Sequence, residues 1–208
     1  MKNILIHGLG QNSKDWDTIK NELETRGISS VAPDLFDLAK GKKLDYPTVY
    51  QAFSELCESY QDKLNLCGLS LGGLLALNYA IQYPKKINSL VLIGTPFEIP
   101  KGLLKFQNIV FRFMPKAVFQ NMGVSKKDFI RLSKSMVDLN FMDSATALDC
   151  PALILCGAKD KTNMESAKRF HEAMKNSKLV IVEASGHEVN KDNPNELVRV
   201  LQDFWAER

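Results

Sequence analysis

Short apolar segments that alternate with longer amphipathic ones constrain the fold of this 208-residue chain more than any other feature. The apolar segments are rich in leucine, isoleucine and valine, which is typical of buried strands. They are NILIHG (3–8), ISSVAPD (28–34), KLNLCG (63–68), INSLVLIG (87–94), ALILCG (152–157) and KLVIVEA (178–184). The amphipathic segments have helical periodicity. They cover roughly residues 15–26, 48–60, 72–83, 164–175 and 194–206.

Strands that are apolar on both faces and separated by helices predict an α/β fold. We expect a doubly wound, mainly parallel sheet of about six strands with helices on both faces. The composition is ordinary for a globular protein, with 45% hydrophobic and 25% charged side chains. A chain of this length buries about 70% of its unfolded surface in one core. We therefore expect a single domain over residues 1–208.

One connection breaks the alternation of strands and helices. It runs from about residue 97 to residue 150, between the fourth and fifth predicted strands, and has helical signals in LLKFQNIVFRFM and KKDFIRLSKSMVDL. A connection of this length in a compact domain usually has a function. We predict that it forms a short helical lid. Helices that only cover one edge of the sheet are the alternative.

The middle of this connection is strongly basic. Over residues 101–137, eight lysines and arginines oppose one aspartate, and 8 minus 1 gives +7 in a chain whose net charge is +3. Apolar residues are interleaved with the cations, as in an amphipathic lid that keeps its charges in water. The alternative is that Lys101, Lys105, Arg112 and Lys116 attract an anionic acyl ester or an anionic lipid surface.

Charge and cysteine spacing argue against several classes of protein. No run of five or six basic residues occurs, so a nucleic-acid partner is not expected. Cys57, Cys67, Cys150 and Cys156 show no CxxC spacing and are expected to be free thiols, with no metal site and no cofactor.

The N-terminal sequence and the hydropathy pattern bear on location. The start, MKNILIHGLG, is interrupted too early by His7 and Gly8 to be a signal peptide. No stretch of eighteen apolar residues occurs, so stable membrane insertion is not expected. A soluble cytoplasmic protein is the simplest interpretation.

Polar residues with catalytic potential follow three of the predicted strands. In sheets of this type, ligands bind beyond the carboxyl ends of the strands. Ser70 follows the third strand, Asp160 the fifth and His187 the sixth. We therefore expect these three side chains at one edge of the sheet.

The segment GLSLG, from Gly68 to Gly72, fits the nucleophile-elbow pattern GxSxG. With Ser, Asp and His in this order at strand ends, nearly the whole chain resembles the α/β-hydrolase superfamily, as a small serine esterase-like member. The resemblance implies Ser70 as nucleophile, His187 as base and Asp160 as acid. It also implies oxyanion donors in the backbone N–H groups of Leu71 and Leu9.

Elementary chemistry supports these roles. A serine hydroxyl is a weak nucleophile until a base such as imidazole accepts its proton, and the base needs an acceptor that fixes its tautomer. An exposed nucleophile on a strand-to-helix turn needs a strained backbone, usually with φ above zero. Gly68 and Gly72 would let neighbouring backbone pass close to that turn.

Other titratable residues have competing interpretations. Glu98 in GTPFE is a rival for the acid, because some members of the superfamily carry the acid after the preceding strand. Asp34 is interpreted as a turn-forming or helix-capping residue. His7 has either a structural role in its loop or a minor role in the site. His171 lies in a helical pattern and is expected on the surface.

Serine at the elbow favours acyl transfer to water. We expect a hydrolase of the carboxylesterase type that cleaves a small-molecule ester or thioester through an acyl-enzyme intermediate. An acyltransferase would use the same residues, and a non-catalytic ligand-binding member of the fold is a further alternative.

Overall fold

The computed structural model describes residues 1–96, 111 and 114–206. Six parallel strands form one sheet in the order β2-β1-β3-β4-β5-β6, which confirms the predicted α/β architecture. The strands are β1 (Lys2–Ile6), β2 (Ser30–Val31), β3 (Leu64–Leu69), β4 (Ile87–Ile93), β5 (Ala152–Gly157) and β6 (Ser177–Val182).

The described part of the chain has ten α-helices and two short 3-10 turns, Ser13–Trp16 and Pro84–Lys86. The helices are α1 (Asp17–Thr25), α2 (Leu35–Leu38), α3 (Tyr46–Glu58), α4 (Leu71–Gln82), α5 (Lys116–Asn121), α6 (Lys126–Ser135), α7 (Met142–Ala145), α8 (Lys161–Ala173), α9 (Val189–Asp192) and α10 (Pro194–Ala206). Helix α8 begins three residues before the predicted start at residue 164, because Asp160 caps its N-terminus.

Alternate strand residues pack on opposite faces of the sheet, as the two-residue period of a strand requires. Ile4 and Ile6 belong to one buried cluster, which includes residues of α3, α4, α6 and α8. Leu5 belongs to a second cluster, formed with α1, α9 and α10. Helices cover both faces, so the central strands are completely buried.

The strand order changes direction between β1 and β3. The chain adds β2 on one side of β1 and then returns to add β3 and the later strands on the other side. Ile6 of β1 is in register with Gly68 of β3, so the carboxyl ends of these two strands lie side by side. A crevice forms where two connections diverge in this way, and this is the usual ligand site of such sheets.

Three helices, α5, α6 and α7, lie in the described part of the connection predicted as a lid at about 97–150. Residues 97–110 and 112–113, which include Glu98, Lys101, Lys105 and Arg112, lie outside the described residues. The lid function therefore stays a prediction. None of the helices described is both long enough and apolar enough to cross a membrane.

Candidate active site

Ser70 sits between β3 and α4 with the strained backbone that the sequence predicts. Its φ is 53° and its ψ is −110°, a conformation that costs a non-glycine residue about 1–3 kcal/mol. Two hydrogen bonds hold it there: the Ser70 N–H donates to the Ile93 carbonyl at 2.9 Å, and the Leu74 N–H donates to the Ser70 carbonyl at 3.0 Å. The turn therefore presents the Ser70 side chain at the edge of the sheet.

The glycines on both sides of Ser70 are required by close backbone contacts. A Cβ at Gly68 would collide with the backbone of Gly72, and a Cβ at Gly72 would collide with the Ile6 carbonyl group. The tight turn also brings the start of α4 to the carboxyl end of β1. The first N–H groups of a helix have no partner within the helix, so they are free to bind developing negative charge.

Asp160 follows β5 and forms the N-cap of α8. Its Oδ1 accepts a hydrogen bond from the Asn163 backbone N–H at 3.3 Å. The side chain is only 6% exposed. Capping fixes the carboxylate at the carboxyl end of the sheet, because the start of α8 is anchored directly to β5.

His187 lies beside this carboxylate. Its Nδ1 donates to Asp160 Oδ2 at 2.7 Å. Burial alone would raise the pKa of Asp160, but hydrogen bonds from His187 and Asn163 hold that pKa below its usual value, so the carboxyl is ionised and can only accept. With the proton on Nδ1, the basic lone pair of the neutral ring is on Nε2.

Backbone contacts between β5 and the loop before His187 position the imidazole. The Lys159 N–H donates to the Ser185 carbonyl at 2.9 Å. A Cβ at Gly157 would collide with the Gly186 carbonyl, so glycine is needed at the end of β5 for the two segments to approach. The loop is thereby fastened to the strand that carries Asp160.

Gly94, immediately after β4, makes room for the histidine and aspartate pair. Its φ is +50°, and its N–H donates to the Leu155 carbonyl at 2.9 Å. A Cβ at this position would lie 3.0 Å from His187 Nδ1 and 3.3 Å from Asp160 Oδ2. No motif in the sequence marked Gly94 as a site residue. The only signal was its position at the end of a predicted strand.

If the cavity cleaves an ester, as the sequence predicts, Gly94→Ala should reduce kcat/KM by about 10²-fold, because the added methyl group displaces the imidazole and misplaced catalytic groups lose roughly this much. The matched control is Gly27→Ala. Gly27 also has positive φ, +74°, but a Cβ there would meet nothing within 4 Å. Both substitutions place a Cβ on a backbone with positive φ, so both introduce the same kind of strain. Equal losses of activity in the two variants would therefore contradict a steric effect on His187.

The loop after β1 reaches the same region, and His7 anchors it. The Leu35 N–H donates to His7 Nε2 at 3.0 Å, so the proton is on Nδ1, which lies 2.9 Å from the Gly8 carbonyl oxygen. Burial lowers the pKa of His7 and favours this neutral form. Both ring nitrogens are occupied by backbone groups, so His7 has a structural role.

A buried polar contact ties this loop to the segment that follows His187. Gln11 Nε2 donates to Glu188 Oε1 at 2.8 Å and to Asn190 Oδ1 at 3.1 Å. Gln11 and Asn190 are almost completely buried. Sequence reasoning missed this contact, because its two sides are separated by 179 positions in the chain.

The predicted site residues surround one cavity of about 710 Å³. Ser70, Asp160, His187, Leu9 and Leu71 all line it. One wall is apolar and contains aromatic and methionine side chains from Phe111 and the region of α5 and α6: Phe111, Met114, Phe119, Met122, Phe129 and Met136. Polar side chains from α8 and α9 also line the cavity.

The remaining predicted residues lie outside this cavity or outside the described residues. Asp34 caps α2, and its Oδ1 accepts hydrogen bonds from the N–H groups of Phe36 and Asp37. His171 is exposed. Glu98 is not among the described residues. All four cysteines are free, as expected.

Comparisons with known proteins agree with the architecture. Residues 4–140 match the family model of the alpha/beta hydrolase fold, and the chain belongs to this family. Lipase 3 of Moraxella sp. (strain TA144) is similar, with 26% identity across 93% of this chain and 75% of the lipase.

Two further comparisons extend the range of related proteins. A putative 2-succinyl-6-hydroxy-2,4-cyclohexadiene-1-carboxylate synthase of Bacillus subtilis (strain 168) is 23% identical across 97% of this chain and 89% of its own length. The structure of a thermophilic esterase from Thermogutta terrifontis is similar in fold, with a TM-score of 0.84 and 18% identity, and the match covers 100% of this chain and 90% of the esterase.

Proposed function

We propose that this protein is a serine hydrolase that cleaves a carboxylic ester or thioester through an acyl-enzyme intermediate. The observation that carries the proposal is the 2.7 Å hydrogen bond between Asp160 and His187 on the same cavity that Ser70 lines. An esterase and a lipase among the similar proteins support the reaction class.

In the proposed mechanism, His187 Nε2 accepts the proton of the Ser70 hydroxyl as its oxygen attacks the acyl carbonyl carbon. Asp160 stabilises the imidazolium that forms. The backbone N–H groups of Leu71 and Leu9 donate to the oxyanion, and the start of α4 adds favourable electrostatics. Collapse of the tetrahedral intermediate expels the alcohol or thiol, which takes the proton from His187. Water then cleaves the acyl-enzyme by the same steps.

The apolar wall of the cavity favours an uncharged acyl group. Phe129 packs edge-on against Phe111 and Phe119, with ring centroids 5.0 Å and 5.1 Å apart, so the wall has a defined aromatic surface. Lys191 is the one lysine or arginine among the described residues that line the cavity, and it already pairs with Asp15 at 2.9 Å and Glu188 at 3.2 Å. An aliphatic acyl chain fits this surface better than an anionic one.

A series of p-nitrophenyl esters from acetate to palmitate tests the acyl group. Each buried methylene contributes about 0.8 kcal/mol, so kcat/KM should rise about fourfold per methylene until the chain fills the cavity, and then level off or fall. A series with no rise beyond acetate would contradict an apolar acyl site. Succinate half-esters of the same length serve as the anionic comparison, and faster cleavage of these esters would favour the basic connection as a substrate-binding element.

Covalent labelling tests the enzyme class directly. A fluorophosphonate should add to intact protein at Ser70, as located by peptide mass spectrometry, and should not add to Ser70→Ala. A receptor without catalytic function would remain unlabelled. Product analysis with and without an added alcohol distinguishes a hydrolase from an acyltransferase, because only an acyltransferase forms the new ester in preference to the free acid.

A further inference from the structure

Asn163, in the first turn of α8, makes an unusually complete set of contacts with Asp160. Its Nδ2 lies 3.0 Å from Asp160 Oδ1 and 2.9 Å from Asp160 Oδ2. Its backbone N–H donates to Oδ1 at 3.3 Å. Asn163 is 8% exposed, and it lines the same cavity as Ser70 and His187. One residue therefore holds both oxygens of the carboxylate.

The contacts of Asp160 Oδ2 define what the Asn163 side chain does. This oxygen accepts from His187 Nδ1 at 2.7 Å and from Asn163 Nδ2 at 2.9 Å. Asn163 Nδ2 and His187 Nδ1 are 3.2 Å apart. Because Nδ1 carries the proton that it donates to the carboxylate, this contact joins two donors that share one acceptor. It is not a hydrogen bond between the two side chains.

A carboxylate held at one oxygen can still rotate about its terminal torsion, because that torsion is broad. Capping of α8 uses only Oδ1. The amide of Asn163 spans both oxygens and so fixes the plane of the carboxylate, with Oδ2 facing the imidazole. The second side chain that donates to Oδ2 is His187 itself, through Nδ1.

We propose that Asn163 is a positioning residue that fixes the plane of the Asp160 carboxylate and thereby the orientation of the His187 imidazole. The inference rests on the proposed serine hydrolase mechanism for its effect on turnover. The contact itself is independent of that mechanism. Asn163 is not expected to touch the reacting atoms.

Three substitutions test the role of the amide in turnover. Asn163→Leu has a similar volume without donors, and it should lower kcat about 10- to 100-fold with KM within about twofold, since orientation and not substrate binding is lost. Asn163→Asp keeps the shape but places a like charge beside Asp160, and it should lose more. Asn163→Ser restores one short donor and should recover part of the loss. Asn176→Leu is the control, because Asn176 donates its amide to the Asp149 carbonyl on an exposed segment outside the cavity.

A spectroscopic measurement separates positioning from general stability. The low-field NMR resonance of the His187 Nδ1 proton, assigned by its loss in His187→Ala, should shift or broaden in Asn163→Leu and move back toward its original position in Asn163→Ser. An unchanged resonance in both variants, or a loss of kcat matched by an equal loss in Asn176→Leu, would overturn the proposal. If Ser70→Ala retained esterase activity but the resonance still depended on Asn163, the serine mechanism would fail and the positioning contact would stand.

Discussion

Ser70→Ala and His187→Ala should each lower kcat for ester hydrolysis by about 10³-fold or more while the melting temperature stays within a few degrees of the wild type. The serine supplies the attacking oxygen and the imidazole removes its proton, so loss of either group removes the same chemical step. The double variant should therefore be no slower than about the slower single variant, because residues that act as one unit have non-additive effects.

His171→Ala is the matched control for the histidine change. His171 is exposed, and its Nδ1 lies 2.9 Å from Ser177 Oγ, away from the cavity. This variant should keep its turnover. The measurement is steady-state kinetics on a chromogenic ester with thermal unfolding of each variant. Retention of more than about a tenth of wild-type turnover in Ser70→Ala would exclude Ser70 as the nucleophile.

Asp160→Asn should lower kcat by about 10³- to 10⁴-fold with little change in KM. Asparagine is an equally good N-cap, so α8 should keep its start. The amide cannot hold the imidazole in the tautomer that leaves Nε2 basic, because it offers a donor as well as an acceptor. Asp45→Asn is the control: Asp45 also caps a helix, with Oδ1 accepting from the Thr48 N–H at 3.2 Å, but it lies outside the cavity.

Comparing Asp160→Asn with Glu98→Gln decides which of the two residues is the acid. Glu98→Gln should change kcat little. A large loss of kcat in Glu98→Gln, with little loss in Asp160→Asn, would assign the acid to Glu98.

The pH dependence of kcat/KM tests the base. Since the pKa of Asp160 is held below its usual value, one ionisation, that of the base, should control the acid side of kcat/KM. Acidification should lower kcat/KM, because protonation removes the lone pair with which the base accepts the serine proton, and an acid side that stays flat would contradict a histidine base.

The fold was predictable from the sequence because its signal is local. Segments such as ALILCG, and LVLIG at the end of INSLVLIG, are apolar at every position, which is typical of strands buried on both faces. Sequence also indicated Ser70, because a strand, a glycine-flanked serine and a helix follow one another within about twenty residues. The order of Ser70, Asp160 and His187 at strand ends then allowed their convergence to be predicted, since parallel strands end at one edge.

Helix boundaries near the site were harder to predict. The periodic apolar pattern of α8 indicates a helix only from about residue 164, whereas the structure begins it at Lys161. The first turn has no apolar pattern because its residues face Asp160 and the cavity: Thr162 and Asn163 both line that cavity. Asp160 was expected to be the acid, and no local pattern indicated that it also caps α8.

The sequence by itself determined the α/β architecture, the turn at Ser70 and the order of the polar residues along the sheet edge, because each depends on neighbours in the chain. Only the tertiary structure decided the contacts that set the geometry of the site. Gly94 makes room for the imidazole, Asn163 and His187 share Asp160 Oδ2 as their acceptor, and Gln11 meets Asn190 across 179 positions. These contacts join segments from different strands, and the distance between such segments depends on sheet register and helix packing, which a local pattern does not encode.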